Sequence, residues 1–225
     1  MQRILSKANS RLVATGLGAF SLLAIGSTSK ATLVESWENT LDGWAVPPSY
    51  SSQVGAFAPT DTFSTTTGVT NGSYSLAITG TTGSGPDYDQ LLAGPSSLAV
   101  TNILANASAI NLDVYTPPGS FGYYLQFQFI INGGGLGFDT LNPSYVSTTI
   151  GVETTLSVPI TPAEDATLAS SGQASAIIIQ VGGGYSAGNE TMYLDNLATT
   201  AVPEPASIGL LGTVGLLTMR RRRRA

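Results

Sequence analysis

The chain has 225 residues, with nine basic and fourteen acidic side chains, no histidine and no cysteine. Every base lies near an end, so residues 32–202 carry thirteen acids (the fourteen less Glu204) and no base. A body of that charge cannot neutralise phosphates, which excludes nucleic acid as a partner. The missing side chains also exclude Ser-His-Asp and Cys-His catalysis, Schiff-base chemistry and histidine-bound zinc.

The front end has the parts of an export signal. Arg3, Lys7 and Arg11 precede the fourteen-residue apolar run "LVATGLGAFSLLAI", and "STSKA" follows with small residues at Ser29 and Ala31. The run is shorter than the ~20 residues of a spanning helix. Cleavage before Thr32 therefore agrees with the sequence better than a permanent anchor, and residues 1–31 are expected to be a signal peptide.

Residues 32–200 are expected to form one domain without disulfides. Short β-branched and aromatic segments alternate with Gly, Pro, Asn and Asp turns, and long helical periodicity is missing. This pattern predicts an all-β sandwich of two antiparallel sheets. "PDYDQ", with Asp87 and Asp89, reads as a solvated turn or a calcium loop. In "AINLDVYT", Ile110, Leu112 and Val114 share one face and Asn111, Asp113 and Tyr115 the other. In "YYLQFQFII", Tyr123, Leu125, Phe127, Phe129 and Ile131 share an apolar face, opposite Tyr124, Gln126 and Gln128. "TPPGSFG" between them reads as a hairpin loop, which would bring Tyr115 beside Tyr124 and line up one polar face from all six residues. Tyr rings with amides and a carboxylate are the groups that dock sugars. The same alternation also describes the solvated side of any antiparallel sheet.

"TPAEDATLA" predicts one helical turn, with Thr161 as cap and Glu164 at capping-box spacing. The adjacent Glu164–Asp165 pair is the nearest approach to the carboxylate pair that glycoside hydrolysis needs, and it sits on that surface turn. No tight acidic cluster accompanies it, so the chain reads as non-catalytic. "SAIIIQV" is nearly all apolar and predicts a central strand. Gly133–Gly135 and Gly182–Gly184 after two strands read as loops at one end of the sandwich. Trp44 is expected in the core.

"VESWENTLDGW" near the start and "ETMYLDNLAT" near the end resemble the opening and closing strands of carbohydrate-binding-module-like jelly rolls, and "TTLSVPI" with "ASAIIIQV" is similar to their penultimate section. The matching pieces cover about a third of the domain. The resemblance implies a jelly-roll sandwich and a structural calcium held by Glu38, or Glu35, together with Asp195. The alternative for Asp195 is a strand-end carboxylate bonded to backbone amides.

The tail runs Val202, Pro203, Glu204, Pro205, then the uncharged apolar stretch from Ala206 to Met219, then Arg220, Arg221, Arg222, Arg223 and Arg224. The apolar stretch would span only about 21 Å as a helix, less than the ~30 Å hydrocarbon core. A basic cluster there stays cytoplasmic by the positive-inside rule. These three elements, in this order over residues 201–225, resemble the PEP-CTERM sorting signal of Gram-negative bacteria. That resemblance implies processing by exosortase, a short transmembrane helix that anchors the chain transiently in the inner membrane, and delivery to the cell surface or matrix. Pro203 and Pro205 would keep the cleavage site extended. The alternative is a plain anchored tail. The expected function is carbohydrate or exopolysaccharide binding, or else a structural role in a biofilm matrix.

Overall fold

The computed structural model describes residues 31–45, 57–82, 85–119, 124–185 and 188–202. All of them fall within one compact unit, Thr28–Pro205. Residues 1–30 and 203–225, including Pro203, Glu204, Pro205 and the arginines from Arg220 to Arg224, lie outside the described residues, so of the expected signal and sorting segments only Ala31, Ala201 and Val202 are described. Among the described residues no helix is long and apolar enough to cross a membrane.

Among the described residues, eleven strands form two antiparallel sheets. The first, sheet A, contains β1 (Ala31–Glu35), β2 (Phe57–Ser64), β3 (Ser75–Thr82), β5 (Ala107–Tyr115), β9 (Thr154–Pro159) and β11 (Gly188–Ala201). Its order is β2-β3-β11-β5-β9, and β1 pairs with β11 through Ala31–Thr200 to Glu35–Leu197. The second, sheet B, contains β4 (Gly85–Ala93), β6 (Tyr124–Gly133), β7 (Phe138–Thr140), β8 (Val146–Ser147) and β10 (Ser175–Tyr185). Its order is β4-β10-β6-β7, with β8 on β6.

The alternation read from the sequence sets the inner faces. Ile110, Leu112 and Val114 from β5, and Leu125, Phe127, Phe129 and Ile131 from β6, all enter one buried cluster. Trp44 joins it, edge-on to Trp37 with ring centroids 5.5 Å apart. Ile177, Ile179 and Val181 make β10 an interior strand, flanked by β4 and β6.

Among the described residues, two helices connect the strands. In α2 (Pro162–Ser171), Thr161 Oγ1 accepts from the Glu164 amide and Glu164 Oε2 from the Thr161 amide, which is the expected capping box. The other, α1 (Leu98–Leu104), has no counterpart in the sequence reading. Its "LAVTNIL" is short and partly β-branched, and Ser97 Oγ starts it by accepting from the Val100 amide. Thr101 fastens it to β10 through Ser175 Oγ at 2.9 Å.

Three sequence readings are corrected. The β5–β6 segment is no hairpin: β5 pairs with β9 and β11, and β6 with β7, β8 and β10, so Tyr115 and Tyr124 belong to different sheets. Local polarity cannot tell a hairpin from a crossover between sheets, since both begin and end in alternating strands. "PDYDQ" is not a turn, because Asp87 and Asp89 pair with Gly183 and Val181 inside β4. Gly182–Gly184 is not a loop either. It continues β10, bonded on both sides, because neighbouring strands supply the order that glycine lacks.

Candidate functional site

The six polar residues expected to share a face are divided by the core. Asn111, Asp113 and Tyr115 are on the outer side of sheet A, and Gln126 and Gln128 on the outer side of sheet B. Tyr124 opens β6 opposite Gly184, and its side chain lies outside the described residues.

On sheet A, β11 puts Tyr193 opposite Tyr115 and Asp195 opposite Asp113. The tyrosine rings lie 6.2 Å apart. The carboxylates form a cross-strand pair of like charges, an arrangement that destabilises a sheet unless donors compensate it. Donors do so here. Asp113 accepts from Thr155 Oγ1 at 2.6 Å and from Asn196 Nδ2 at 2.9 Å. Asp195 Oδ2 accepts from the Thr70 and Asn71 amides at 2.6 and 2.7 Å and from Thr70 Oγ1 at 3.2 Å, while Oδ1 accepts from the Asn196 amide at 2.6 Å. Asn196 reaches this position through a left-handed backbone (φ 50°) at a register shift in β11. Asn111 is bonded to Thr200 Oγ1 at 2.9 Å.

The donors of Asp195 come from the β2–β3 loop, which is folded onto this face. Gly68 (φ 68°) lies against the tyrosines, so that an added Cβ would stand 2.5 Å from the Tyr193 Cβ. Ser75 Oγ donates to the Thr67 carbonyl at 2.6 Å, and the Ser73 amide donates to both oxygens of Glu38 at 3.2 and 3.0 Å. As a result Asp195 is 0 % and Asp113 7 % exposed. Burial raises the pKa of Asp195 above the ordinary aspartate value against the lowering effect of its amide partners. The Asp113–Asp195 pair is thus beneath a loop and saturated with internal bonds, which keeps it from serving as an acid and base for a glycoside.

Glu38 and Asp195, the ligands the resemblance implies for calcium, both act on this loop. Calcium takes six to eight oxygens, about 2.3–2.6 Å away. Around Asp195 the near neighbours are N–H and O–H groups whose hydrogens point at the carboxylate. Among the described residues no group of three acidic side chains converges on a possible ion position. Of the two readings of Asp195, these bonds match the amide-bonded carboxylate. Glu35, the alternative ligand, accepts at Oε1 from the Ser36 and Trp37 amides at 2.9 and 2.8 Å. Burial raises its pKa, opposed by those amide bonds.

Sheet B has a different outer surface. Gln128 and Gln180 are directly paired across β6 and β10, and Gln90 of β4 is in register with Gln180 on the other side. One step along, Gly182 pairs with Gln126 on β6 and with Tyr88 on β4; next, Gly184 pairs with Tyr124 and Pro86. Gln126 also pairs with Ser147 of β8. The central strand has no side chains at Gly182 and Gly184, so its backbone forms a floor between residues of the two flanking strands. Gln126 and Gln180 are half-buried and Gln128 is 8 % exposed. The glycine floor was missed in the sequence because Gly182–Gly184 reads as a break, and Gln180 was passed over inside the apolar strand "SAIIIQV".

No family model and no curated protein matches this chain. Solved structures do. A carbohydrate-binding module from the beta-sandwich superfamily, studied for promiscuous specificity, superposes with a TM-score of 0.52 at 13% identity, over 74% of this chain and 60% of that one. The chain therefore spans less than two thirds of that protein. The Caldicellulosiruptor saccharolyticus module CBM27-1, in complex with mannohexaose, gives 0.52 at 12% identity, over 78% of this chain and 98% of that module. The fold is the β-sandwich of carbohydrate-binding modules.

Proposed function

We propose that this is an exported, non-catalytic carbohydrate-binding protein whose ligand lies on the outer face of sheet B, along the Gly182–Gly184 floor. The observation that carries the reading is the register of that face, with Gln128 beside Gln180 and Gln126 beside Gly182. Glutamine amides donate and accept at once, which suits sugar hydroxyls, and a strip without side chains admits an extended chain. The fold shared with carbohydrate-binding modules supports it. Thirteen acids and no base between residues 32 and 202 disfavour a polyanion, so the ligand class is a neutral polysaccharide. Delivery follows from the ends of the chain: a cleaved signal peptide, then exosortase processing near Pro203–Pro205, and release to the surface or extracellular matrix.

Calorimetric titration of the exported protein with mannohexaose, xylohexaose and cellohexaose tests the binding. Gln126→Ala and Gln180→Ala are expected to weaken the best ligand at least tenfold, about 1.4 kcal/mol, with unchanged melting temperature. Indifference to all neutral probes would instead favour a purely structural matrix protein. Intact mass measurement of the native protein tests the sorting: chains that keep the terminal arginines would overturn it.

A further inference from the structure

We infer that the loop between Trp37 and Trp44 forms a second carbohydrate site, beside Phe63 of β2, the edge strand of sheet A. This inference shares only the ligand class with the reading above. A cleft of about 450 Å³ is lined by Asn39, Thr40, Leu41, Asp42 and Phe63, with Gly43 at its end. The polar members are exposed, while Leu41 and Phe63 are partly buried against the core. An amide, a hydroxyl and a carboxylate at the rim, with an aromatic ring below, are the groups that bind the hydroxyls and the apolar ring face of one or two neutral sugar units. Asp42 leaves an anionic ligand without a counter-charge.

The loop is held in an unfavourable backbone. Of the four non-glycine residues with positive φ among the described residues, three are here: Trp37 (49°), Asn39 (64°) and Asp42 (45°). Left-handed backbone is rare for a residue as bulky as tryptophan. Trp37 is moreover fully buried with its indole Nε1 unpartnered. Such costs persist where the surrounding structure enforces them, and they concentrate at binding sites. Enforcement is visible on each side. Trp37 and Trp44 are locked together in the core, Ala45 and Ala93 exchange two backbone bonds of 3.0 and 2.9 Å, and Glu38 holds the Ser73 amide. Between these anchors Thr40 Oγ1 donates to Asp42 Oδ1 at 3.2 Å, which sets the rim before a ligand arrives.

Amide-shift mapping of the ¹⁵N-labelled exported protein, with mannohexaose, xylohexaose or cellohexaose at millimolar concentration, tests the site. Shifts at residues 39–43 and 63 are expected, and they should persist in a Gln126→Ala/Gln180→Ala chain. Asn39→Gly, which keeps the left-handed backbone and removes the amide, should weaken them at least fivefold; Phe63→Leu should do the same without emptying the core edge. Shifts confined to β6 and β10 would overturn this second site and leave the first standing. Shifts at 39–43 alone would do the reverse. No shift at either place with any of the three sugars would overturn both.

Discussion

The two outer faces of the sandwich begin from the same alternating pattern and end in opposite states. On sheet A the polar residues are turned on one another: Thr155, Asp113 and Asn196 are joined by hydrogen bonds, Asn71 Nδ2 donates to Asn196 Oδ1 at 3.2 Å, and the amides of Thr70 and Asn71 donate to Asp195 beneath the β2–β3 loop. On sheet B, glutamines stand beside glycines, and the interior strand carries no side chain at Gly182 and Gly184. A buried polar group must be bonded, and a face whose groups are all bonded internally has none left for a ligand. The polar residues most tempting in the sequence, Asp113 and Tyr115, belong to the closed face. The recognition proposed above is therefore on the plainer one.

The largest effect expected of breaking this contrast is at Asp195. Asp195→Ala leaves the Thr70, Asn71 and Asn196 amides without their acceptor, and a destabilisation of at least about 3 kcal/mol is expected in urea unfolding. Glycan binding at temperatures where the fold persists should be unaffected, because the change lies on sheet A. Gly68→Val comes next. A β-branched residue at positive φ, with an added Cβ 2.5 Å from Tyr193, should lift the loop and cost about 2 kcal/mol. Equal loss of glycan affinity in either variant would contradict the separation of the faces.

Acidity gives a smaller, graded test. Burial raises the pKa values of Asp195, Glu35 and Asp139, the last with help from the nearby charge of Glu164. A carboxyl with a higher pKa folded than unfolded draws protons into the folded state, so stability rises as pH falls through the folded values and is fully gained below the unfolded values of about 4. The contribution of these groups to the melting temperature should accordingly rise as pH falls towards about 4. Glu35→Gln, which keeps an oxygen for the Ser36 and Trp37 amides, should reduce that rise. A variant that instead enlarges the rise would refute the sign. The smallest expected effect is that of a chelator: EDTA should leave the melting temperature unchanged, since Glu38 and Asp195 hold amides. A clear loss would restore the calcium.

Much of the fold was legible. The inward faces of β5 and β6 followed from side-chain alternation, and the α2 cap from Thr161 and Glu164, because both are local properties. The opening and closing segments were read as the first and last strands of a jelly roll, and they form β1 and β11, which the structure pairs. "YLDNL" can now be read residue by residue. Tyr193 faces Tyr115, Leu194 and Leu197 enter the core, Asp195 gathers the loop amides, and Asn196 makes the bend that reaches Asp113. The candidate site was legible only in part. Gln126 and Gln128 were picked out by their polarity, but on the wrong partner strand, and Gln180 stood beside glycines mistaken for a loop.

The sequence by itself determined what each residue could contribute: the charge that rules out polyanions, the chemistry that rules out most catalysis, and the side of its strand each side chain takes. Only the tertiary structure decided which strands are neighbours. Pairing joins residues far apart in the chain, such as Asp113 and Asp195, through loop closures whose entropy depends weakly on length. No local signal therefore favours the near partner over the far one. That choice alone determines whether a carboxylate meets a sugar, a cation or its own backbone.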